Sequence, residues 1–385
     1  MRRGETPWRA DGCLGGSVLK SGAMAPRILV LGCGGIGGLV TAHLARAGHD
    51  VTAVSTNRAI AETAARAGIT VRGEGPEWCV RATVASAVPG GPFDVVLLAT
   101  QPTEVLSAAE SAKGALAPDG AMVCLQNGLC EERIAPIVGD DRTFGAIVTW
   151  GAAMPAPAVV ERTAKGRFTV GRLDGALDAR VRTLAALLGC VQPTGVTRNL
   201  RGTRWSKLAL NCAVSTLGTI AGARLGALLQ HRGARRLALE TMTEAVLVAR
   251  RAGVRLEKVS GTIDLDWIAL TDRERARPRA RSLVAKHAVL FAVGLRYRRM
   301  RSSMLAAMER GRMPAVDYLN GEVVRHAELF GMRAPRNALL QETVWAIARG
   351  EKRAGLPLLE EVIARAETLP LPSAAAPPAE TTLRV

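Results

Sequence analysis

Aromatic side chains are scarce in this 385-residue chain: Phe, Tyr and Trp make up 3% of it, with five, two and six copies. A nucleic-acid reader would interleave aromatics with its basic residues or carry a recognisable reading motif, and the chain does neither. Acidic residues are also few, 34 against 51 Lys and Arg, which leaves a net charge of +17. Most of that excess is arginine between Arg250 and Arg301. It reads as solvated helix surface, part of which can draw an anionic cofactor and substrate towards a cleft. Long hydrophobic runs are missing as well. The nearest, Leu208 to Ala223, holds Asn211, Ser215, Thr216 and Thr219 and stops at Arg224, short of the ~18 apolar residues of a membrane span. Seven scattered cysteines form no CxxC pair, so neither a disulfide frame nor a zinc or other metal site is expected. Residues 1–25 lack the apolar stretch of a secretory signal and read as a disordered extension, with Met24 offering an alternative start. These absences describe a soluble, cytoplasmic protein with no nucleic-acid or membrane partner.

What is present begins at Arg27. Ile28-Leu29-Val30-Leu31 is a short apolar run suited to a core strand, and Leu39, Val40 and Leu44 follow at helical spacing. Between them lies Gly32-Cys33-Gly34-Gly35-Ile36-Gly37. A Gly-x-Gly-x-x-Gly between strand and helix permits a tight turn at Gly32, close approach of a pyrophosphate at Gly34, and close helix–strand packing at Gly37. The free N–H groups of the helix start face the phosphates. The alternative is a glycine turn without a ligand. A second strand, 49–55, ends in Ser55-Thr56-Asn57-Arg58 rather than in the Asp or Glu that bonds the ribose hydroxyls of NAD. NADP is therefore expected over NAD, with its 2′-phosphate against Ser55, Asn57 and Arg58; otherwise Arg58 is a surface residue of the next helix.

Further strands are expected at 69–72, 78–84, 93–99 and 121–125, with a Pro118-Asp119-Gly120 turn before the last. Ligands of an open parallel sheet bind outside the carboxyl ends of its strands, where Thr100, Gln101, Gln126 and Asn127 fall. Asn127 is the favoured amide, although Asn-Gly is also a plain turn signal. Strands at 143–150, 158–162 and 167–171, broken by Pro155-Ala156-Pro157, then a helix at 176–189 and a strand at 191–196, close the first half. The rest, to about 350, reads as helical. The expected architecture is an α/β Rossmann-type domain (26–197), an all-α domain (198–352), and a mostly disordered tail (353–385) holding one helix near Leu358–Glu367. On the first helix of the second half, Lys207, Asn211 and Ser215 stand at i, i+4 and i+8 and make one polar stripe. Lys207 is the only charge between Arg204 and Arg224. It is either a snorkelling surface lysine or a lysine held in a cleft.

Taken together, Gly32–Gly37, Leu125-Gln-Asn-Gly128, Trp205-Ser-Lys-Leu-Ala-Leu-Asn211, Ser302-Ser-Met304 and Asp317-Tyr-Leu-Asn-Gly321 resemble the ketopantoate reductases (2-dehydropantoate 2-reductases), and more loosely the 6-phosphogluconate-dehydrogenase-like group. The motifs occur in the family's order across 27–350. The resemblance implies an NADPH-dependent, often homodimeric enzyme of pantothenate biosynthesis that reduces a 2-oxo acid. It implies Lys207 as proton donor, Asn211 and Ser215 on the substrate side, Ser303 at the substrate carboxylate, and Asn127 at the reacting region. Ser303 also fits a helix N-cap. The chain departs from the family in three places. Ala315 stands where a glutamate is usual, Ser215 where a second asparagine is, and Gln101 where a lysine is. Glu309, Asp317 and Glu322 are the nearby carboxylates that could substitute. Reduction of another ketone or imine, or a non-catalytic NADPH-binding regulator, are the rival readings.

Overall fold

A computed structural model describes residues 25–258, 263–276 and 280–370; the expectation for residues 1–24 and the end of the tail lies outside these. The strands among the described residues are β1 Arg27–Leu31, β2 Asp50–Val54, β3 Ile69–Arg72, β4 Trp78–Val80, β5 Thr83–Ala85, β6 Phe93–Leu98, β7 Leu116–Cys124, β8 Thr143–Val148, β9 Gly151–Ala156, β10 Val159–Ala164, β11 Phe168–Arg172 and β12 Thr194–Val196. Helices of the first half are α1 Gly35–Arg46, α2 Arg58–Ala67, α3 Val105–Lys113, α4 Cys130–Val138 and α5 Ala179–Gly189. The second half holds α6 Leu200–Ile220, α7 Leu225–Gln230, α8 Arg232–Arg251, α9 Leu265–Ile268, α10 Asp272–Ala276, α11 Ser282–Arg296, α12 Ser303–Met308, α13 Asn320–Leu329, α14 Pro335–Ala348 and α15 Leu356–Thr368.

The main sheet runs β12-β11-β8-β7-β6-β1-β2-β5. Its six strands from β5 to β8 are all parallel and, renumbered along the chain, give the 3-2-1-4-5-6 order of a dinucleotide-binding sheet. Both faces are covered, which explains the continuous apolar runs of its central strands. Ile28, Val30, Val95 and Leu97 enter the core on one face, and Leu29, Leu31, Val96 and Leu98 enter the core on the other. The order reverses between β1 and β6, so the carboxyl ends of these strands open a crevice there.

A second, four-stranded sheet, β4-β3-β10-β9, packs on α1 and is not apparent from the sequence pattern. The single strand expected at 78–84 divides between the two sheets, β4 joining the small one and β5 the large one. Pro155 does not break a strand but lies inside β9, because β9 is an edge strand and its unpaired side needs no N–H donor. The turn expected at Pro118–Gly120 lies within β7, where the register with β6 skips from Leu116 to Ala121. The tail helix is longer than expected, and Leu359 and Val362 are fully buried in the helical core.

α6 is the axis of the helical half and packs against α8, α12, α14 and α15. Trp205, Leu208, Ala209, Cys212 and Thr216 are all buried, as their helical spacing requires. Arg204, one position before Trp205, is equally buried and leaves the helical half for the Rossmann half. Its guanidinium pairs with buried Glu131 on α4 and donates to the Cys124 carbonyl (2.9 Å) and the Gln126 carbonyl (2.7 Å) at the end of β7. Removing one member of such a pair leaves an uncompensated buried charge. Arg204→Leu is therefore expected to lower unfolding stability by about 3–5 kcal/mol, measured by denaturant titration, and the Arg204→Leu/Glu131→Leu double variant to regain part of it. A single-variant loss under about 1 kcal/mol would show that the pair is not what joins the halves.

Candidate active site

The glycine turn has the shape its sequence calls for. Gly32 has φ +98°, and a Cβ there would lie 2.7 Å from the Thr100 amide nitrogen. A Cβ on Gly37 would overlap the Gly32 carbonyl, so α1 lies directly on its own strand. A Cβ on Gly34, by contrast, would meet no atom of the described residues within 4 Å beyond its chain neighbours. α1 begins at Gly35 with no side-chain cap on Gly34 and no acidic residue in its first turn. The half-buried Gly35 and Ile36 complete this turn. Burial pushes the Cys33 thiol up to about 12, so it stays neutral between the glycines. An uncapped helix start with open space before it and no negative charge fits a pyrophosphate, and the site residues fit a dinucleotide.

The other residues expected to meet the cofactor fall along one line, the carboxyl edge of the main sheet. After β2, Ser55 is buried, its hydroxyl accepting from the Asn57 N–H at 3.2 Å. Asn57 caps α2 through the Ala59 N–H at 3.0 Å, and exposed Arg58 pairs with Glu62 at 2.7 Å. That surface pair is weak enough to be exchanged for a phosphate. After β6 come Thr100 and Gln101, both half-buried, and the short turn Pro102–Glu104. After β7 come buried Gln126, which donates to the Thr100 hydroxyl at 3.2 Å, and half-buried Asn127. Gly128 (φ +92°) lies against the Tyr318 carbonyl, which a Cβ would approach to 2.6 Å. The 3-10 turn Ala315–Tyr318 also packs on Pro102–Glu104. The helical half thus closes over the ends of β6 and β7.

Lys207 reaches this line from α6. Its Nζ donates to the carbonyl of Val148, the last residue of β8. Its side chain is half-buried rather than extended into solvent. Burial lowers its pKa from 10.5 to about 7, with the Arg204 charge adding to the effect and Glu131 opposing it. Burial likewise raises the Glu131 carboxyl, with Arg204 opposing. Asn211 and Ser215 continue the stripe, both half-buried.

Ser303 stands apart from the expectation that it caps a helix. Ser302 is the cap of α12, accepting from the Leu305 N–H at 3.3 Å. Ser302 is also tied to the Ser215 carbonyl and the Thr219 hydroxyl, each at 2.8 Å. Ser303 is exposed at the first position of α12, leaving its hydroxyl free of the cap. Each of the three carboxylates near Ala315 is already engaged by neighbouring donors. Glu309 pairs with Arg301 on the surface. Asp317 accepts from Gln341 (2.7 Å) and Trp345 (2.8 Å). Glu322 is fully buried between Arg133 (2.7 Å) and Arg325 (2.8 Å). Sequence reasoning passed over Arg204 and Glu131. Arg204, Leu208 and Cys212 share one side of α6 at i, i+4 and i+8, so the spacing alone marks Arg204 as a buried cation in need of a partner.

Among known proteins, the family model described as Ketopantoate reductase PanE/ApbA matches residues 28–175, and its C-terminal counterpart matches 199–348. A protein of Pyrococcus horikoshii named 2-dehydropantoate 2-reductase is 27% identical over 331 residues, 86% of this chain and 98% of that one. A PanE/ApbA family ketopantoate reductase from Ralstonia eutropha JMP134 has a similar structure, with TM-score 0.70, 24% identity, and coverage of 85% of this chain and 100% of its own. The ternary structure of a D-mandelate dehydrogenase with NADH and anilino(oxo)acetate has a similar fold, with TM-score 0.72, 18% identity, and coverage of 84% and 99%.

The lysine's lowered pKa carries a prediction. Between about pH 7 and 10.5 the unfolded chain holds a proton on Lys207 that the folded chain does not. Stability contributed through this residue therefore rises with pH across that window. Lys207→Met is expected to be more stable than the parent at pH 7, with the gap shrinking towards pH 10.5. Denaturant midpoints of both proteins at the two pH values read it, and a constant gap would contradict it.

Proposed function

The chain belongs to the ketopantoate reductase family, and from that premise we propose that it catalyses NADPH-dependent reduction of a 2-oxo acid, foremost 2-dehydropantoate to pantoate. Lys207 is the proton donor in this reading. The observation that carries it is the half-buried Lys207 ammonium at the carboxyl end of β8, with its pKa lowered to about 7. When bound, the reduced nicotinamide supplies a hydride to the ketone carbon. The protein's part is to stabilise the negative charge that gathers on the ketone oxygen and to protonate it there. An amine titrating near neutrality suits both tasks, because its proton is present yet readily given up. The Val148 carbonyl orients the ammonium, and a second proton from solvent restores it. Asn211, one turn further along α6, offers an amide to the substrate, and Ser303 offers its exposed hydroxyl to the substrate carboxylate. Ser55, Asn57 and Arg58 favour the 2′-phosphate of NADP, since none carries negative charge.

A cytoplasmic, homodimeric protein completes the proposal. Two observations accord with its cytoplasmic part: the six described cysteines are all free, and no described helix is long and apolar enough to cross a membrane. A second reading, reduction of a different ketone or imine, is favoured by one observation. Half-buried Ala315 stands on the turn that closes the crevice, and each carboxylate that could replace a glutamate there is engaged elsewhere.

Lys207→Ala is expected to lower kcat by about 10²–10⁴-fold while NADPH binding is retained, read by NADPH absorbance and by calorimetry. Unchanged turnover would remove Lys207 from the mechanism. A panel of 2-oxo acids in the same assay separates the two substrate readings. Ketopantoate having the highest kcat/KM supports the first, and another ketone having it supports the second.

A further inference from the structure

Gln126 is the last well-buried residue before the crevice, 5% exposed. Three of its polar groups have visible roles or none. Its main-chain carbonyl accepts from Arg204 Nη1 at 2.7 Å. Its side-chain Nε2 donates to the Thr100 hydroxyl at 3.2 Å. Its Oε1 is buried and has no hydrogen-bond partner among the described residues. Burying an acceptor without a donor costs free energy that a leucine or methionine in its place would not incur. Such an atom at a ligand-binding edge calls for a ligand that brings the donor.

Its location selects the donor, on the reading that this crevice holds a dinucleotide. Ser55, Asn57 and Arg58 follow β2, and the glycine turn follows β1. A dinucleotide with its adenosine half at β2 and its pyrophosphate on α1 must run its other half over the ends of β6 and β7. Gln126 and Thr100 bridge those two strand ends, two to three strand spacings, or roughly 10–14 Å, from β2. Lys207 then stands at the next strand end, β8. The group of a nicotinamide half that offers N–H donors is its carboxamide. We propose that Gln126 Oε1 is the acceptor for the nicotinamide carboxamide N–H, a positioning contact that fixes which way the ring lies in front of Lys207. Arg204 supports it by clamping the Gln126 main chain, so one buried guanidinium both joins the halves and sets this acceptor.

The test compares three ligands by calorimetry on the full chain and on Gln126→Leu: NADP+, its 3-acetylpyridine analogue, and 2′-phospho-ADP-ribose. The analogue replaces the carboxamide by a methyl ketone without N–H donors, and the last ligand has no nicotinamide. The parent protein is expected to bind NADP+ about tenfold more tightly than the analogue. Gln126→Leu is expected to abolish that preference by weakening NADP+ alone, with 2′-phospho-ADP-ribose unaffected. Gln126→Met, closer in length and flexibility, provides the same readout if the leucine variant folds poorly. A preference that survives in both variants overturns the assignment, as does equal weakening of all three ligands, which would mark Gln126 as merely structural. If the parent binds none of the three, the dinucleotide reading itself fails, and this assignment with it.

Discussion

The Arg204–Glu131 pair is the contact on which the arrangement of this protein depends. It lies wholly inside the molecule, with both partners 2% exposed or less. It joins α6 of the helical half to α4 of the Rossmann half, and its remaining donors hold the carbonyls at the end of β7. A buried ion pair adds little net stability over apolar packing, but it is intolerant of misplacement. Here that intolerance fixes the rotation and height of α6 relative to the sheet. Lys207 follows Arg204 by three residues, and so by about one helical turn. Its amine is thereby delivered to the end of β8 rather than to solvent. The same Arg204 charge helps hold that amine's pKa down.

Around this constraint the candidate residues fall into a row. Ser55 to Arg58, the glycine turn, Thr100 and Gln101, Gln126 and Asn127, and finally the Val148 carbonyl with Lys207 occupy the carboxyl ends of successive neighbouring strands, β2, β1, β6, β7 and β8. No single residue in the row is diagnostic. The sheet order makes them one surface, and the helical half covers it through the Ala315–Tyr318 turn. A second bridge between the halves, buried Glu322 with Arg133, whose guanidinium lies over the Tyr318 ring at 4.6 Å, steadies that cover.

The sequence made the central parallel strands and α6 legible because their apolar patterns are local and strong. The polar stripe of Lys207, Asn211 and Ser215 was readable for the same reason, from helical spacing alone. What escaped it depends on distant pairing. β3 joins β10, some ninety residues later in the chain, and nothing within either segment announces the small sheet. Pro155 looked like a strand breaker because only the assembled sheet shows that β9 is an edge. Ser302 and Ser303 are adjacent and chemically identical, so pattern could not decide which one caps α12 and which stays exposed. Lys207 could have snorkelled or been enclosed; that choice rests on Val148, 59 residues earlier in the chain, and on a partner for Arg204 that no local motif names.

A crystal structure of the protein with NADP+ and a 2-oxo acid analogue bound together tests most directly whether α6 brings an amine to the reacting carbonyl. The account predicts Lys207 Nζ within about 3 Å of the analogue's ketone oxygen, with the nicotinamide ring across the ends of β6 and β7. A nicotinamide bound elsewhere, or a Lys207 side chain turned into bulk solvent away from the analogue, would contradict it.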